Sequence, residues 1–461
     1  MPRPNLSESL VQAKRESLRE FGLFRTGQSL HPKWPLEVFL EISNVCDLQC
    51  AMCPTFSGIN PSRQAIQRMY QRGFMDTDAM SGALDSIFEH ALIVHAFGYG
   101  EPTLHPGFPQ LLDYLAKFGV MVDFFSHGNH LSAELCDLLV ARHVSKLTIS
   151  LSGSSQDSYE SVYLGGRYED VISGLARLAA SRKRMNSEFP RVEINSIGFR
   201  HHVLELPLFV RQMADVGVHR IHLKPLVETD SIRDLHGHAA NPNDADVRAA
   251  IAAARAIAKQ RKVRLDTAEF ENSAYQTQIK AEALIPIAMF PSRAKSLEMK
   301  RAMRDMSRDP PEPPGIAWAN VHFFPLSPGK FPCLEPFKTL YMSQDGSAYP
   351  CCFKNDQMKL GNIQVTGATD IWREQFRDLR EHIARGKYPD ELCSQCVAHS
   401  LYPKNHGTDG LVLRYGVWFR KAYGRPFDVV AEMLAAVRYV TGRFLNRDEN
   451  RLVVRRYGQA D

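Results

Sequence analysis

Three cysteines, Cys46, Cys50 and Cys53, lie close together in the 461-residue chain with the spacing CxxxCxxC. Three thiolates in one loop can hold three corners of a 4Fe-4S cube and leave the fourth iron without a protein ligand. Such an open position lets a metal site bind and activate a substrate. Structural zinc would need a fourth Cys or His nearby, and no His falls between His31 and His90. The spacing therefore favours a catalytic iron-sulfur cluster.

A second group of cysteines lies in the C-terminal third of the chain: Cys333, Cys351, Cys393 and Cys396. Gly346 precedes Cys351 by five positions, and the last two cysteines form a CxxC pair. Four thiolates would leave no open position, which suits either a closed cluster or a four-cysteine zinc site. Cys352 adjoins Cys351 and is an alternative ligand. The spacing alone leaves cluster and zinc equally open.

A scaffold must position the first cysteines, and the sequence between Leu36 and Pro225 repeats one pattern. A short apolar run rich in β-formers is followed by a loop and a stretch with helical spacing. We predict six strands: Leu36–Ser43, Ala91–Phe97, Val120–Ser126, Lys146–Ser152, Arg191–Ile197 and His219–Lys224. The helical stretches are long enough for crossover connections. An α/β fold with a parallel sheet follows, with the three cysteines at the carboxyl end of its first strand.

The composition agrees with a globular enzyme. With 44% hydrophobic residues the chain can bury a full core, and it has room for smaller domains beside the large one. The N-terminal stretch is polar, without the apolar centre of a signal peptide, and no apolar run approaches membrane-spanning length. We therefore expect a cytoplasmic protein, in which clustered cysteines are metal ligands rather than disulfides. The net charge of +5 gives no reason to expect a nucleic-acid partner.

With these motifs in place, the chain resembles the radical S-adenosylmethionine (SAM) superfamily. In that family the CxxxCxxC cysteines hold a 4Fe-4S cluster and SAM binds its fourth iron. The segment Gly98-Tyr99-Gly100-Glu101-Pro102 resembles the family's Gly-Gly-Glu-Pro motif. The resemblance implies a partial (β/α)6 TIM-like barrel with a small C-terminal α+β cluster-binding domain and a helical tail. It also implies eight SAM-binding positions: Gly98, Gly100, Glu101, Ser126, Ser150, Arg167, Asn195 and Leu223.

The chain departs from the family pattern at several positions. Met52 stands where an aromatic residue is usual, and His127 replaces an Asn. Tyr163 takes the place of an Arg that binds the SAM carboxylate, so Arg167 or Arg200 is expected to supply that charge.

The C-terminal cysteines resemble the shortened SPASM or twitch domain. In that family a Cys, a Gly with a second Cys five positions on, and a final CxxC hold one auxiliary 4Fe-4S cluster. The resemblance implies two 4Fe-4S clusters and SAM as cofactors. The expected ligands are Cys46, Cys50, Cys53, Cys333, Cys351, Cys393 and Cys396.

The resemblance implies an enzyme that cleaves SAM reductively to a 5'-deoxyadenosyl radical, which removes a hydrogen atom from the substrate. We expect an oxidoreductase that dehydrogenates a small biosynthetic intermediate or forms a bond in it. A redox-neutral epimerase is an alternative, with Cys136 or Cys352 as possible hydrogen donor. The further alternatives are a peptide-modifying enzyme and an electron-transfer or scaffold protein. An external electron donor such as flavodoxin or ferredoxin is an expected partner.

We divide the chain into five regions: an N-terminal extension (1–34), the radical SAM core (35–240), a helical segment and linker (241–330), the SPASM-like domain (331–405) and a basic amphipathic helical tail (406–461). Residues 411–461 carry ten Arg or Lys against five Asp or Glu. An amphipathic helix is predicted over Phe427–Leu445. The tail also holds five aromatic residues that are candidates for contact with an anionic or lipid-linked substrate: Tyr415, Trp418, Phe419, Tyr423 and Phe427.

Overall fold

The computed structural model describes residues 6–25, 29–53, 55–58, 72–226, 238–271, 333–351, 358–384, 393, 408–424, 427 and 432. Several predictions from the sequence therefore lie outside the described residues. These are the ligand Cys396, the alternative ligand and hydrogen donor Cys352, the linker from 272 to 330, and nearly all of the helix predicted over Phe427–Leu445.

Ten strands form one sheet in the order β10-β9-β8-β1-β2-β3-β4-β5-β6-β7. Strands β1 to β7 pair in parallel with their neighbours, and β8 pairs in parallel with the other side of β1. The hairpin β8–β9 and the pair β9–β10 are antiparallel. The strands are β1 Glu37–Leu40, β2 Ile93–His95, β3 Met121–Ser126, β4 Lys146–Ser150, β5 Arg191–Ile197, β6 Arg220–Lys224, β7 Arg264–Asp266, β8 Thr339–Met342, β9 Ser347–Tyr349 and β10 Gly361–Asn362.

Helices connect the parallel strands, as the right-handed crossover rule requires. The helices of the described residues, including those before the first and after the last strand, are α1 Glu8–Arg25, α2 Thr77–Met80, α3 Asp85–His90, α4 Phe108–Ala116, α5 Ala133–Ala141, α6 Gln156–Glu160, α7 Tyr168–Arg184, α8 Arg200–Asp215, α9 Ala245–Arg261, α10 Ala268–Glu271, α11 Glu335–Lys338, α12 Ala368–Asp370, α13 Arg377–Ala384 and α14 Thr408–Tyr423. A π-helical turn, Ile371–Gln375, precedes α13. The predicted partial TIM-like barrel is confirmed: β1 to β6 are the six predicted strands, each shorter than or equal to its predicted range.

The two faces of the barrel sheet differ in chemistry because successive strand residues point to opposite sides. Val38, Val94 and Ile194 are fully buried in the large core cluster that includes the helices. The alternate positions carry polar groups, among them Glu37, His95 and Asp123. These lie on the inner face, and the outer face therefore supplies the apolar packing that holds the barrel together.

Two helices from opposite ends of the chain close the amino-terminal end of the barrel. The Tyr415 hydroxyl of α14 donates to the Gly119 carbonyl at 3.0 Å, and Trp418 Nε1 donates to the His143 carbonyl at 3.0 Å. Both acceptors lie in the turns that lead into β3 and β4. Residues of α1, such as Phe21 and Phe24, share a buried cluster with α14. The N-terminal extension and the start of the tail thus belong to the barrel's packing.

The structure contradicts an exposed docking role for the aromatic residues of the tail. All five are buried: Tyr415, Trp418, Phe419, Tyr423 and Phe427. Their rings pack against one another, with Phe419 and Phe427 at a centroid distance of 5.0 Å. They form the base of the barrel because α14 returns to cover it. In the described part of the chain, no helix combines the length and apolar character needed to cross a bilayer.

Candidate active site

The three cysteines follow β1 in a loop at the carboxyl end of the sheet, and each is partly buried. The loop turns tightly, because the Cys53 amide donates to the Cys50 carbonyl at 2.9 Å. The Phe56 amide donates to Cys53 Sγ at 3.3 Å. Hydrogen bonds of this kind to sulfur are among the features that tune iron-sulfur clusters.

The protonation chemistry of the three thiols fits a bound cluster. Burial raises the pKa of Cys46 to about 12, and it also raises the pKa of Cys50 and of Cys53. Cys50 is further shifted by the other two thiols. Such thiols stay protonated near neutral pH unless a cation replaces their protons. Three closely spaced, partly buried thiols in one loop are a suitable donor set for three irons.

The Gly98–Pro102 segment lies directly against the cysteine loop. The Gly100 amide donates to the Ser43 carbonyl at 3.1 Å, and the Glu101 amide donates to the Val45 carbonyl at 2.8 Å. A Cβ at position 100 would lie 2.5 Å from the Val45 carbonyl oxygen and 2.6 Å from that of Ser43. Only glycine permits this approach, because both neighbours are backbone atoms. Gly100 therefore positions the first cysteine.

Glu101 joins the loop after β2 to the end of β3. Its buried carboxylate accepts hydrogen bonds from the Thr103 amide (3.1 Å) and hydroxyl (2.6 Å), and from the Ser126 hydroxyl (2.8 Å). The His127 amide donates to its other oxygen at 2.9 Å. Four donors occupy this carboxylate, so the Glu101 and Ser126 side chains hold the site together.

Asp47, inside the cysteine motif, is a residue that sequence analysis missed. Its two carboxylate oxygens lie 3.0 Å from His127 Nε2 and 2.8 Å from His130 Nε2. The Asn129 amide donates to His127 Nδ1 at 3.1 Å, so Nε2 is the nitrogen that donates to Asp47. The Cys46 sulfur and ligand atoms of Asp47 and His127 lie within 4.8 Å of one another. His127, noted only as a departure from the family motif, therefore tethers the cysteine loop.

The other side of the cysteine loop lies against the segment that follows β4. The Gln49 amide donates to the Leu164 carbonyl and the Ala51 amide to the Val162 carbonyl, both at 2.8 Å. Tyr163 is buried between them, with its hydroxyl 3.2 Å from the Ser152 hydroxyl. Tyr163 is thus a packing residue.

The remaining predicted SAM positions fall into different places. Ser150 and Asn195 are register neighbours on β4 and β5, both partly exposed on the inner face. Leu223 is 1% exposed and packs with Ile221 in the core shared with the helices. The structure therefore does not bring the Leu223 side chain to the inner face.

The two candidate arginines also differ in their surroundings. Arg200 pairs with Asp244 at 2.6 Å and with Asp246 at 2.5 Å. Arg167 begins α7, and its side chain is 69% exposed with a long contact to Asp170 at 3.6 Å. Its amide donates to Asn129 Oδ1 at 2.7 Å, which places it beside the His127 loop. Arg200 is therefore engaged in two ion pairs, and the Arg167 side chain is largely exposed beside the His127 loop.

The structure contradicts Cys136 as a hydrogen donor in the barrel. Its side chain is fully buried in α5 on the helix side of the sheet, where the sulfur lies 3.9 Å from the Leu131 carbonyl and 3.8 Å from the Gly174 carbonyl. The thiol therefore has no route to a substrate on the inner face.

Three of the four predicted auxiliary ligands are described. Cys333, Cys351 and Cys393 are each partly buried. Gly346 has φ +77° in the turn between β8 and β9, a conformation that favours glycine. This turn returns the chain so that Cys351 follows β9. The donor chemistry of these thiols fits a cluster.

The fold and the three-cysteine loop together define a barrel protein with an iron-sulfur site at the carboxyl edge of its sheet. Residues 40–187 match the radical SAM superfamily, and residues 333–397 match SPASM, an iron-sulfur cluster-binding domain. The chain therefore contains a domain that matches the radical SAM superfamily and a domain that matches SPASM. SAM and two 4Fe-4S clusters are its cofactors by this assignment.

Curated relatives match over part of the chain. Mycofactocin maturase MftC of Mycobacterium tuberculosis (strain CDC 1551 / Oshkosh) is 25% identical over 205 residues, 44% of this chain and 48% of the relative. PqqA peptide cyclase of Xanthomonas campestris pv. campestris (strain B100) is 25% identical over 41% of this chain and 46% of the relative. The chain thus spans about half the length of the curated relatives it matches. Streptococcus suis SuiB bound to S-adenosylmethionine has a TM-score of 0.49 at 13% identity, covering 78% of this chain and 71% of SuiB.

Proposed function

We propose that this radical SAM enzyme oxidises a peptide, with SAM held above the inner face of the barrel at the Cys46–Cys53 loop. The observation that carries the proposal is this loop's position at the carboxyl end of a barrel whose amino-terminal end is closed by α1 and α14. The name of the PqqA peptide cyclase favours a peptide substrate. The small biosynthetic intermediate expected from the sequence is the second candidate.

The inner face beneath the loop has a chemistry suited to an amino-acid side chain. Phe39, Phe97 and Phe125 are partly exposed there, with ring centroids 5.7 Å apart for the first two and 4.6 Å for the last two. Thr148 lies on β4 two positions before Ser150. Its hydroxyl is buried and has no hydrogen-bond partner among the described residues. An apolar wall with a polar atom can position a substrate group and exclude water.

When bound, SAM and the first cluster supply the radical that removes a hydrogen atom from the substrate. The chain's own residues position the Cys46–Cys53 loop, line the interior of the barrel and close the barrel's amino-terminal end. We propose oxidation, in which the auxiliary cluster would accept the remaining electron of the substrate radical and a proton would leave to solvent. A redox-neutral epimerisation needs a thiol to return a hydrogen atom, and Cys136 lies on the helix side of the sheet, away from the interior of the barrel. Cys352 keeps the redox-neutral alternative open.

The first test is 5'-deoxyadenosine formation from SAM by anaerobically reconstituted protein under strong reductant. The triple variant Cys46→Ala, Cys50→Ala, Cys53→Ala is the control. Formation that disappears in the triple variant supports the enzyme assignment. If iron-loaded wild-type protein forms no 5'-deoxyadenosine even when peptide is present, the electron-transfer or scaffold alternative is favoured.

The second test addresses the substrate class and the redox outcome together. A synthetic library of 20-residue peptides and a protein-free metabolite extract are compared as stimulants of 5'-deoxyadenosine formation, in deuterated solvent. A peptide product that has lost two hydrogens and gained no deuterium supports the proposal. Deuterium uptake that vanishes in Cys352→Ala but persists in Cys136→Ala would instead establish the epimerase alternative.

A small-molecule substrate remains the second candidate, because other relatives carry names of that kind. AdoMet-dependent heme synthase of Methanosarcina barkeri (strain Fusaro / DSM 804) is 22% identical over 42% of this chain and 52% of the relative. Stimulation by the metabolite extract alone would favour this candidate.

A further inference from the structure

Asp47 is a carboxylate inside the cysteine motif, directly after an expected cluster ligand. Its Oδ1 lies 3.0 Å from His127 Nε2, and its Oδ2 lies 2.8 Å from His130 Nε2. One Asp47 oxygen, one ring nitrogen of His127 and the Cys46 sulfur all lie within 4.8 Å of one another. Asp47 therefore places a negative charge beside a sulfur that is expected to bind the first cluster.

The loop after β3 fixes the position of this charge. The His127 side chain is only 6% exposed, and its ring contacts that of His130 at a centroid distance of 5.2 Å. Asn129 donates to His127 Nδ1, so Nε2 carries the hydrogen that the ring donates to Asp47. Because each carboxylate oxygen has a histidine partner, Asp47 cannot rotate away from the Cys46 sulfur without losing these bonds.

The charge of Asp47 can be removed without leaving His127 alone. His127 Nε2 also lies 3.5 Å from a Glu101 oxygen, and the His127 backbone amide donates to that same oxygen at 2.9 Å. The ring therefore keeps a carboxylate neighbour when position 47 is neutral. An exchange of Asp47 for the isosteric asparagine thus removes one negative charge and little else.

A negative charge at this place acts on the reduction potential of a bound cluster. Net charge, hydrogen bonds to sulfur and solvent exposure set the potentials of 4Fe-4S clusters. Charges a few ångströms apart interact strongly, and water screens them less in a partly buried site than at an open surface. A carboxylate beside a ligand sulfur opposes the arrival of another electron on the cluster.

We propose that Asp47, held beside Cys46 by His127 and His130, lowers the reduction potential of the first 4Fe-4S cluster. The inference rests on the Cys46–Cys53 loop as the ligand set of that cluster, and it is independent of the substrate class. A lower potential makes the reduced cluster a stronger donor of the single electron that breaks a carbon–sulfur bond of SAM. Asp47 acts through its charge, and the two histidines act through Asp47.

The test is a redox titration of the anaerobically reconstituted protein, followed by electron paramagnetic resonance. The first cluster is identified by the signal that changes when SAM is added, and the auxiliary cluster is the internal reference. Asp47→Asn is compared with Asp137→Asn in α5. Asp137 is a matched control because its side chain is 42% exposed, against 41% for Asp47, and is paired with Arg184. We expect a less negative first-cluster midpoint in Asp47→Asn alone, with the auxiliary midpoint unchanged in both variants.

The outcomes separate this inference from the ligand assignment. A first-cluster midpoint in Asp47→Asn that is unchanged or more negative overturns the inference and leaves the three cysteines as ligands. A shift of the same size in Asp137→Asn also overturns it, because the effect would not be local. Wild-type protein without a cluster that responds to SAM overturns the ligand assignment and the inference together.

A second variant decides if Asp47→Asn does not retain the first cluster. Asp47→Ser also removes the charge, and its hydroxyl can still accept a hydrogen bond from a histidine. A less negative midpoint in Asp47→Ser supports the inference, and a midpoint equal to that of wild type overturns it.

Discussion

The Ser126 hydroxyl donates to the Glu101 carboxylate at 2.8 Å, and this bond ties the end of β3 to the loop after β2. Because two hydroxyls and two amides all donate to that carboxylate, Glu101→Gln should leave some buried donors facing an NH2 group. We expect a loss of about 1–3 kcal/mol in stability and a weaker hold on the cysteine loop. Chemical denaturation and the iron content of the purified protein measure these effects.

Glu169→Gln is the matched control, since Glu169 is an exposed residue of α7. An unchanged denaturation midpoint in Glu101→Gln would contradict the structural role assigned to this carboxylate.

Gly100→Ala should prevent the first cluster from assembling while the barrel still forms. The added Cβ would collide with the backbone carbonyls of Ser43 and Val45, which move only if the cysteine loop moves. Iron and sulfide content, with the visible absorption of the reconstituted protein, provides the measurement. Gly73→Ala serves as the control because a Cβ there meets nothing within 4 Å. Normal cluster loading in Gly100→Ala would show that the close approach of position 100 to the Ser43 and Val45 carbonyls does not control cluster assembly.

The buried row Glu37–His95–Asp123 should make stability depend on pH. His95 Nδ1 lies 2.5 Å from Asp123 and Nε2 lies 3.3 Å from Glu37. Burial opposes protonation, but the two carboxylates outweigh it and raise the pKa of His95 to about 9. Because this pKa is higher in the folded state, the stabilisation is complete below the unfolded value of about 6.5 and is lost as the pH rises through 9.

The raised pKa corresponds to a loss on the order of 3 kcal/mol across that window. Urea denaturation of wild-type protein at pH 6 and at pH 9.5, compared with His95→Gln, measures it. The variant should show a smaller decrease between the two pH values. Equal decreases in both proteins would place the pH dependence in other groups.

Lys14 of α1 should contribute to stability through two backbone acceptors. Its Nζ is fully buried and donates to the Phe88 carbonyl at 2.5 Å and the Ala91 carbonyl at 2.6 Å. Lys14→Met would fill similar space but leave these carbonyls at the end of α3 unsatisfied, at a cost of about 1–3 kcal/mol. Thermal unfolding compared with the exposed-site variant Lys183→Met tests this. A variant as stable as wild type would contradict it.

The motif residues allowed much of the site to be predicted from sequence. Cys46, Cys50 and Cys53 follow the first strand, and parallel strands bring their carboxyl ends to one edge of a sheet. The motif at Gly100 and Glu101 follows the second strand, so it had to lie beside the cysteines. These inferences need only local pattern and chain order.

The partners of individual side chains were not predictable in the same way. In the sequence, Asp47 is a residue between two cysteines, and no local pattern indicates its partners. Its pairing with His127 and His130 depends on how the loops after β1 and β3 meet. Leu223 was assigned by its position in the sixth strand, but the pleat turns it toward the helices. A shift of one position along a strand reverses the face, and chain order does not determine it.

The sequence by itself determined the order of the parallel strands and the two cysteine sets, because spacing within a loop and strand order are local properties of the chain. The barrel class and the cofactors followed from the resemblance to the radical SAM superfamily and to SPASM. The tertiary structure alone decided that the aromatic residues of α14 close the barrel and that Cys136 lies on the helix side of the sheet. Each of these depends on contacts between segments far apart in sequence. Burial and charge pairing arise only when those segments pack.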